Sequence, residues 1–300
     1  MKKIILFLFL SAGAVSVARA QLDPIYAQYL NNPLVMNPAF TALNAKFNAG
    51  IQYRTQWAGL TGNPVSWNFH SNIALVNNKV GAGIQVIEDQ IGDAKNTEFH
   101  AMYSYKLELE KSVVAFGLQA GFMRFTNDPS RLSLKDPDDP NFTFFNEMKF
   151  NTGFGVLLKN DRYLLGLSVP RLLPSKLDNN GVPIQVYNRN VYLMGAYQIF
   201  LTERVRLRPA VLLRTSKGAG LSTDVNINLN LEDRYSAGIF TRNLETHGLL
   251  LQMKFKHYNL GYVFEIPASS STSLHYTSHE LTFSAAIPIL SFHDRSDSAF

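Results

Sequence analysis

Ser222-Thr223-Asp224-Val225-Asn226-Ile227-Asn228-Leu229-Asn230-Leu231 is the stretch whose reading decides the fold. Thr223, Val225, Ile227, Leu229 and Leu231 fall on one face of an extended chain, and Ser222, Asp224, Asn226, Asn228 and Asn230 fall on the other. Strict alternation is the signature of a strand with unlike surroundings on its two faces. A strand between lipid and a wet lumen has that character.

The preceding stretch repeats the pattern. Val205, Leu207, Pro209, Val211 and Leu213 alternate with Arg204, Arg206, Arg208, Ala210, Leu212 and Arg214. An arginine on the lipid face costs roughly 2 to 4 kcal/mol near the midplane, so these side chains are expected in the lumen or at its rim. Within Lys111 to Phe125, Val114, Phe116, Leu118, Ala120 and Phe122 take one face, with Gln119 and small residues on the other. Similar stretches occur at 47–55, 64–76, 79–89, 94–108, 111–126, 147–159, 162–170, 188–200, 203–215, 221–231, 234–243, 246–256, 257–266 and 276–290. These predict an all-β fold, a transmembrane antiparallel β-barrel of about 14 strands, an even number as single-chain bacterial barrels have. A large soluble β-sandwich also alternates and remains the competing fold.

Asn77-Asn78, Glu110-Lys111, Asn160-Asp161, Thr202-Glu203 and Glu232-Asp233 suit tight hairpin turns and are assigned to the periplasmic side. Longer connectors at Asn127–Asn146, Leu172–Tyr187 and Ala268–His275 carry Pro, Asp, Asn or Ser and are assigned outside the cell. Tyr103, Tyr105, Tyr163, Tyr197, Phe200, Tyr258, Tyr262 and Phe264 sit toward strand ends, where interfacial aromatic girdles are expected.

At the start of the chain, Lys2 and Lys3, the apolar run Ile4–Leu10 and Ala18-Arg19-Ala20 form a secretory signal pattern. The expected organisation is a signal peptide over 1–20, a pre-barrel segment over 21–46, the barrel over 47–290 and a tail over 291–300. Beyond the leader, no apolar run approaches the roughly 18 residues of a spanning helix. Without its leader the chain carries 25 basic and 23 acidic residues, too even a balance to suggest nucleic acid. It contains no Cys, which excludes disulfides, thiolate metal sites and a lipidated N-terminal cysteine.

The search for chemistry finds no site. Asp136, Asp138 and Asp139 lack the Gly turn and distal Glu of a calcium loop. His275 and His279 would stand about 13 Å apart on an extended chain, too far for one metal. Gly81-Ala82-Gly83 and Gly218-Ala219-Gly220 lack the strand-to-helix context of a phosphate loop. No nucleophile-elbow spacing occurs. The expectation is a non-enzyme with no cofactor and no metal.

The N-terminal stretch is the most specific. Asn32-Pro33 and Asn37-Pro38 disfavour a regular spanning strand, because each Pro removes a donor and restricts the residue before it. Tyr26, Tyr29, Leu30, Leu34, Met36 and Phe40 either pack inside the barrel as a plug or close its base. The run Leu22-Asp23-Pro24-Ile25-Tyr26-Ala27-Gln28-Tyr29-Leu30-Asn31-Asn32-Pro33-Leu34-Val35-Met36-Asn37-Pro38-Ala39-Phe40, followed by Tyr53-Arg54-Thr55-Gln56-Trp57, resembles the PorP/SprF family of the type IX secretion and gliding machinery. Asp136-Pro137-Asp138-Asp139-Pro140-Asn141-Phe142 and Ser278-His279-Glu280 extend the resemblance over essentially the whole mature chain.

That resemblance implies a bacterial outer-membrane component that binds or anchors a secreted adhesin through its C-terminal region, or links to the periplasmic ring. The expected partners are outer-membrane lipid and other type IX secretion components. A transport barrel for hydrophobic small molecules is the alternative. Candidate partner-binding residues are Tyr29, Asn32, Pro33, Asn37, Pro38, Arg54 and Trp57. For Arg54 and Trp57 the competing expectation is structural, Arg54 paired with a lumenal carboxylate and Trp57 at the membrane interface. Arg206, Arg208 and Arg214, opposite Asp224, are either a recognition patch or half of cross-strand ion pairs.

Overall fold

The computed structural model describes residues 26, 27, 29, 32–43, 45–128, 144–179, 182–218, 220–268 and 276–290. Its strands are β1 (Phe47–Thr55), β2 (Val65–Leu75), β3 (Val80–Ile91), β4 (Ala94–Glu108), β5 (Val113–Asn127), β6 (Phe145–Lys159), β7 (Tyr163–Val169), β8 (Ser175–Asn179), β9 (Val182–Tyr187), β10 (Asn190–Tyr197), β11 (Ile199–Phe200), β12 (Val205–Ser216), β13 (Ser222–Leu231), β14 (Tyr235–Arg242), β15 (Thr246–Phe255), β16 (Tyr258–Pro267) and β17 (Ser278–Ile287). Successive barrel strands pair antiparallel, with β7 pairing with β10 across the β8–β9 hairpin, β10 pairing with β12, and β1 pairing with β17. The result is a closed antiparallel ring of 14 strands, with β11 lying along β12 outside it. Closure removes every unpaired edge, which lipid requires.

Side-chain alternation explains how the wall faces two media. On β13, Asp224, Asn226 and Asn228 are buried inward while Val225, Ile227 and Leu229 point out. On β5, Ala115, Gln119 and Met123 are buried, whereas Phe116, Leu118 and Phe122 are exposed, Leu118 by 61 %. An outer wall of exposed Ile, Leu and Phe over an interior of buried Asn, Gln and Arg inverts the soluble pattern. No helix among the described residues is long and apolar enough to cross a membrane.

Short connectors gather at one end of the ring. Glu232 and Asp233 both take positive φ, 53° and 54°, the backbone of a tight hairpin that follows the twist of its strands. Tyr103, Tyr105, Tyr197, Phe200 and Tyr258 are exposed toward this end. The opposite end carries the longer connectors, together with the tight turns Gly92-Asp93 and Asn243-Leu244-Glu245. Two of the three expected long loops, and the Asp136–Asp139 motif, lie largely or wholly outside the described residues, as do residues 1–25, His275 and the tail. The third, expected as loop over Leu172–Tyr187, holds the β8–β9 hairpin. Its strands are too short to span a membrane, so a search for membrane-length alternation passes over them.

The segment before β1 runs inside the ring. It forms two 3-10 turns, Pro33–Val35 and Pro38–Ala42, each with Pro in its first positions, where the missing N–H costs nothing. Tyr26, Tyr29, Leu34, Val35, Met36, Ala39 and Phe40 form one apolar cluster with Ile87, Met102, Leu157, Leu164, Met194 and Leu212 from the wall. Glycines let the chain approach: a Cβ on Gly117 would overlap the backbone of Pro38 and Ala39, and one on Gly81 would overlap that of Thr41 and Ala42.

The filled lumen as candidate functional site

The candidate residues of the inner segment are held by polar contacts to strands on all sides of the ring. Ala27 donates its backbone N–H to Glu280 on β17 at 3.0 Å. The Asn32 amide donates to Gln52 on β1 and to Asn68 on β2, each at 3.0 Å. The Tyr29 hydroxyl accepts from Asn226 on β13 at 2.7 Å, and the Ser168 hydroxyl of β7 donates to the Met36 carbonyl at 2.6 Å. The Asn37 side chain does two things: its oxygen caps the second turn by accepting from the Ala39 N–H at 2.9 Å, and its amide donates to the Val156 carbonyl of β6 at 3.1 Å.

Tyr26 and Tyr29 are almost wholly buried. Burial raises both phenols above their ordinary range, with Asp89 adding to the rise at Tyr26 and Asp224 at Tyr29. Both remain neutral at any physiological pH, which suits chains packed in an apolar cluster.

Arg54 is buried inside the ring. Its guanidinium forks onto both carboxylate oxygens of Glu265 on β16, at 2.7 and 2.6 Å, and reaches Glu280 at 3.4 Å. Gln52 donates to the other oxygen of Glu280 at 2.6 Å. Arg242 on β14 lies 3.8 Å from Glu265 and 3.1 Å from Asp224. A second cluster joins Glu98 to His100 at 2.9 Å and to Arg171 at 3.2 Å, and Ser66 hydrogen-bonds Asp89 beside it. Buried charges persist only when paired in this way.

Trp57 follows β1 at the long-loop end, half-buried, with a left-handed φ of 55° and its backbone N–H donating to the Ser278 hydroxyl at 3.2 Å. The lumen therefore brings together Tyr29, Asn32, Asn37, Pro38 and Arg54, with Pro33 beside them only partly buried, and leaves Trp57 apart from them. The three arginines of β12 do not converge on Asp224, whose directly opposite, ion-paired neighbour is Arg242; Arg206 pairs with Asp233 in the turn after β13. Asp224 and Arg242 are joined by strand register, which the charge pattern of one strand does not reveal.

Sequence reasoning also passed over Glu265, Arg242, Glu98 and Arg171. Glu265, Arg242 and Glu98 share one signal, a charged residue at an inward position within a strand. Arg171 follows β7 and carries no such parity.

The model of the family described as type IX secretion system membrane protein PorP/SprF matches residues 18–285. The chain belongs to the PorP/SprF family. This PorP/SprF protein is accordingly a type IX secretion protein of the bacterial outer membrane. No curated protein matches its sequence.

Among solved structures it is similar to the CymD monoaromatic hydrocarbon channel, at 10 % identity and a TM-score of 0.50, over 93 % of this chain and 97 % of that one. It is similar too to a deletion mutant of the TodX monoaromatic hydrocarbon channel, at 9 % identity and 0.50, over 85 % and 93 %. The outer-membrane protein Omp33 of Acinetobacter baumannii matches at 7 % identity and 0.48, over 81 % and 100 %. At such identities the first two speak to the fold of this PorP/SprF barrel alone.

Proposed function

We propose that this PorP/SprF barrel is a non-enzymatic binding and anchoring component of type IX secretion, holding a secreted adhesin through its C-terminal region or linking the outer membrane to the periplasmic ring. The observation that carries the reading is the occupied lumen. The chain's own segment fills it and is bonded to β1, β2, β6, β7, β13 and β17. A cavity beside Met36, Tyr192, Asp224 and Arg242 measures only about 10 Å³, room for a single water. A transport barrel needs a continuous path, and this interior favours retention over passage.

Within this reading the candidate residues divide. Tyr29, Asn32, Pro33, Asn37 and Pro38 seat the segment, Arg54 secures the wall behind it, and Trp57 is the member placed to meet a partner at the long-loop end. Residues 1–20 act as the export signal.

The test is a mild-detergent pull-down of the tagged protein from its native membranes, with mass spectrometry of what remains bound. Recovery of an adhesin C-terminal region supports anchoring, and recovery of ring components supports the link. Recovery of the barrel alone, together with hydrocarbon flux in liposomes, overturns both.

A further inference from the structure

The charges of the barrel divide unequally between its two ends. The short-turn connectors and the strand residues next to them, with Lys46, carry twelve Lys and Arg against six Asp and Glu among the described residues. At the long-loop end the described acidic and basic residues are nearly balanced, and the interior carboxylates Glu98, Asp224, Glu265 and Glu280 all lie in that half.

The excess is concentrated at the mouth of the lumen. Lys106, Lys159 and Arg206 are buried just inside it, on inward positions of β4, β6 and β12. The carboxylates that pair with Lys106 and Arg206 stand outside: Glu108 is 55 % exposed and Asp233 67 %. Arg208, one inward position deeper than Arg206, has a buried Nε with no hydrogen-bond partner. Around the mouth, Arg162, Arg234, Lys254 and Lys256 are exposed, with Glu110, Asp161, Glu203 and Glu232 in the same turns, so the inward Lys106, Lys159, Arg206 and Arg208 supply most of the excess.

We propose that the short-turn mouth is a docking surface for an extended acidic segment of a partner protein. The proposal rests on the binding reading above only for the partner's being a protein. Exposed carboxylates are weakly held by their cations, so an incoming acidic chain can compete for them. Lipid headgroups belong to the outer girdle, whereas Arg234 and Lys254 stand exposed at the mouth with Lys106 and Arg206 just within it, so an extended chain crossing the mouth meets the exposed cations and is drawn by the buried ones behind them. Short turns face the periplasm in bacterial outer-membrane barrels, so the segment comes from that side.

The probe is a labelled synthetic peptide of about twelve residues, ~40 Å when extended, alternating Asp and Gly. Matched Lys-Gly and Ser-Gly peptides serve as controls, and the full-length barrel sits in nanodiscs of neutral lipid. Expected is saturable binding of the acidic peptide alone, fading as salt shortens the Debye length from about 10 Å to about 3 Å. The exposed double variant Arg234→Glu with Lys254→Glu should bind about tenfold more weakly, a rim-charge effect, and Lys149→Glu with Lys217→Glu at the other end should bind as wild type.

Three results overturn the proposal. They are equal binding of the basic peptide, an equal loss in the long-loop variant, or loss of the peptide when anionic lipid replaces neutral lipid, which would make this a headgroup site. Wild-type salt dependence and peptide preference decide the matter even where a variant misfolds. A pull-down that recovers export components while the peptide fails to bind separates this proposal from the function above.

Discussion

Arg54 on the first barrel strand and Glu265 on β16 form a two-pronged ion pair across β17, the strand that lies between them where the ring closes. The closure joins residues more than two hundred positions apart in sequence, and its backbone ladder is reinforced inside by this pair and by Glu280. Both carboxylates and the guanidinium are nearly inaccessible, so their attraction is poorly screened and their desolvation is costly.

Replacing Glu265 with Gln should therefore destabilise the barrel by about 3 kcal/mol, because it leaves Arg54 and Arg242 short of negative charge in a buried site. Glu232→Gln, which removes an exposed pair with Arg204, should cost under about 1 kcal/mol. Thermal unfolding in detergent, followed by the gel shift of the folded barrel, measures both. Equal shifts would show that the interior pair contributes nothing special to closure.

Gly117→Leu should expel the second 3-10 turn, since even a Cβ at this position overlaps Pro38 and Ala39. The chain has no Cys, so Thr41→Cys gives a single buried thiol as reporter. In an otherwise unaltered barrel that thiol should resist a water-soluble maleimide, and with Gly117→Leu added it should label readily. Labelling at the same rate in both would mean that the turn does not occupy the space beside β5.

Opposite parities on β13 should respond unequally to substitution. Ile227→Arg places a cation on the outer face and should cost roughly 2 to 4 kcal/mol if the position lies near the midplane. Asn226→Ala removes its hydrogen bonds to Tyr29 and from Asn228 and should cost about 2 kcal/mol at most. Refolding titrations in liposomes order the two, and an Asn226 effect larger than that of Ile227 would reverse the assigned faces.

The ring was legible in the sequence wherever the lumen is polar. On β13 the inward Asp and Asn against outward Val, Ile and Leu leave one reading, and the closed barrel of 14 strands follows from stretches of that kind. Legibility fades on β6, β7, β10 and β12, where Leu157-Leu158, Leu164-Leu165, Leu193-Met194 and Leu212-Leu213 put apolar residues on both faces. The physical reason is the inner segment: Leu157, Leu164, Met194 and Leu212 pack on it while their neighbours face outward. Broken alternation therefore marks the wall against which the segment lies.

The segment's own path was less legible. Asn37-Pro38 identifies a turn, but the glycines that receive it stand on β3, β5 and β6, far away in sequence. The Arg54 cluster was half visible: an inward arginine demands a carboxylate, yet only closure of the ring shows that Glu265 and Glu280 supply it.

The central point is that the chain's own segment occupies its lumen, on which the proposed holding of partners rather than passage of solutes depends. Single-channel recording in planar bilayers tests it most directly, comparing the unaltered protein with Gly117→Leu. The account predicts no steady conductance from the unaltered barrel and a clear ionic conductance once the segment is displaced. A stable open channel in the unaltered protein would contradict it.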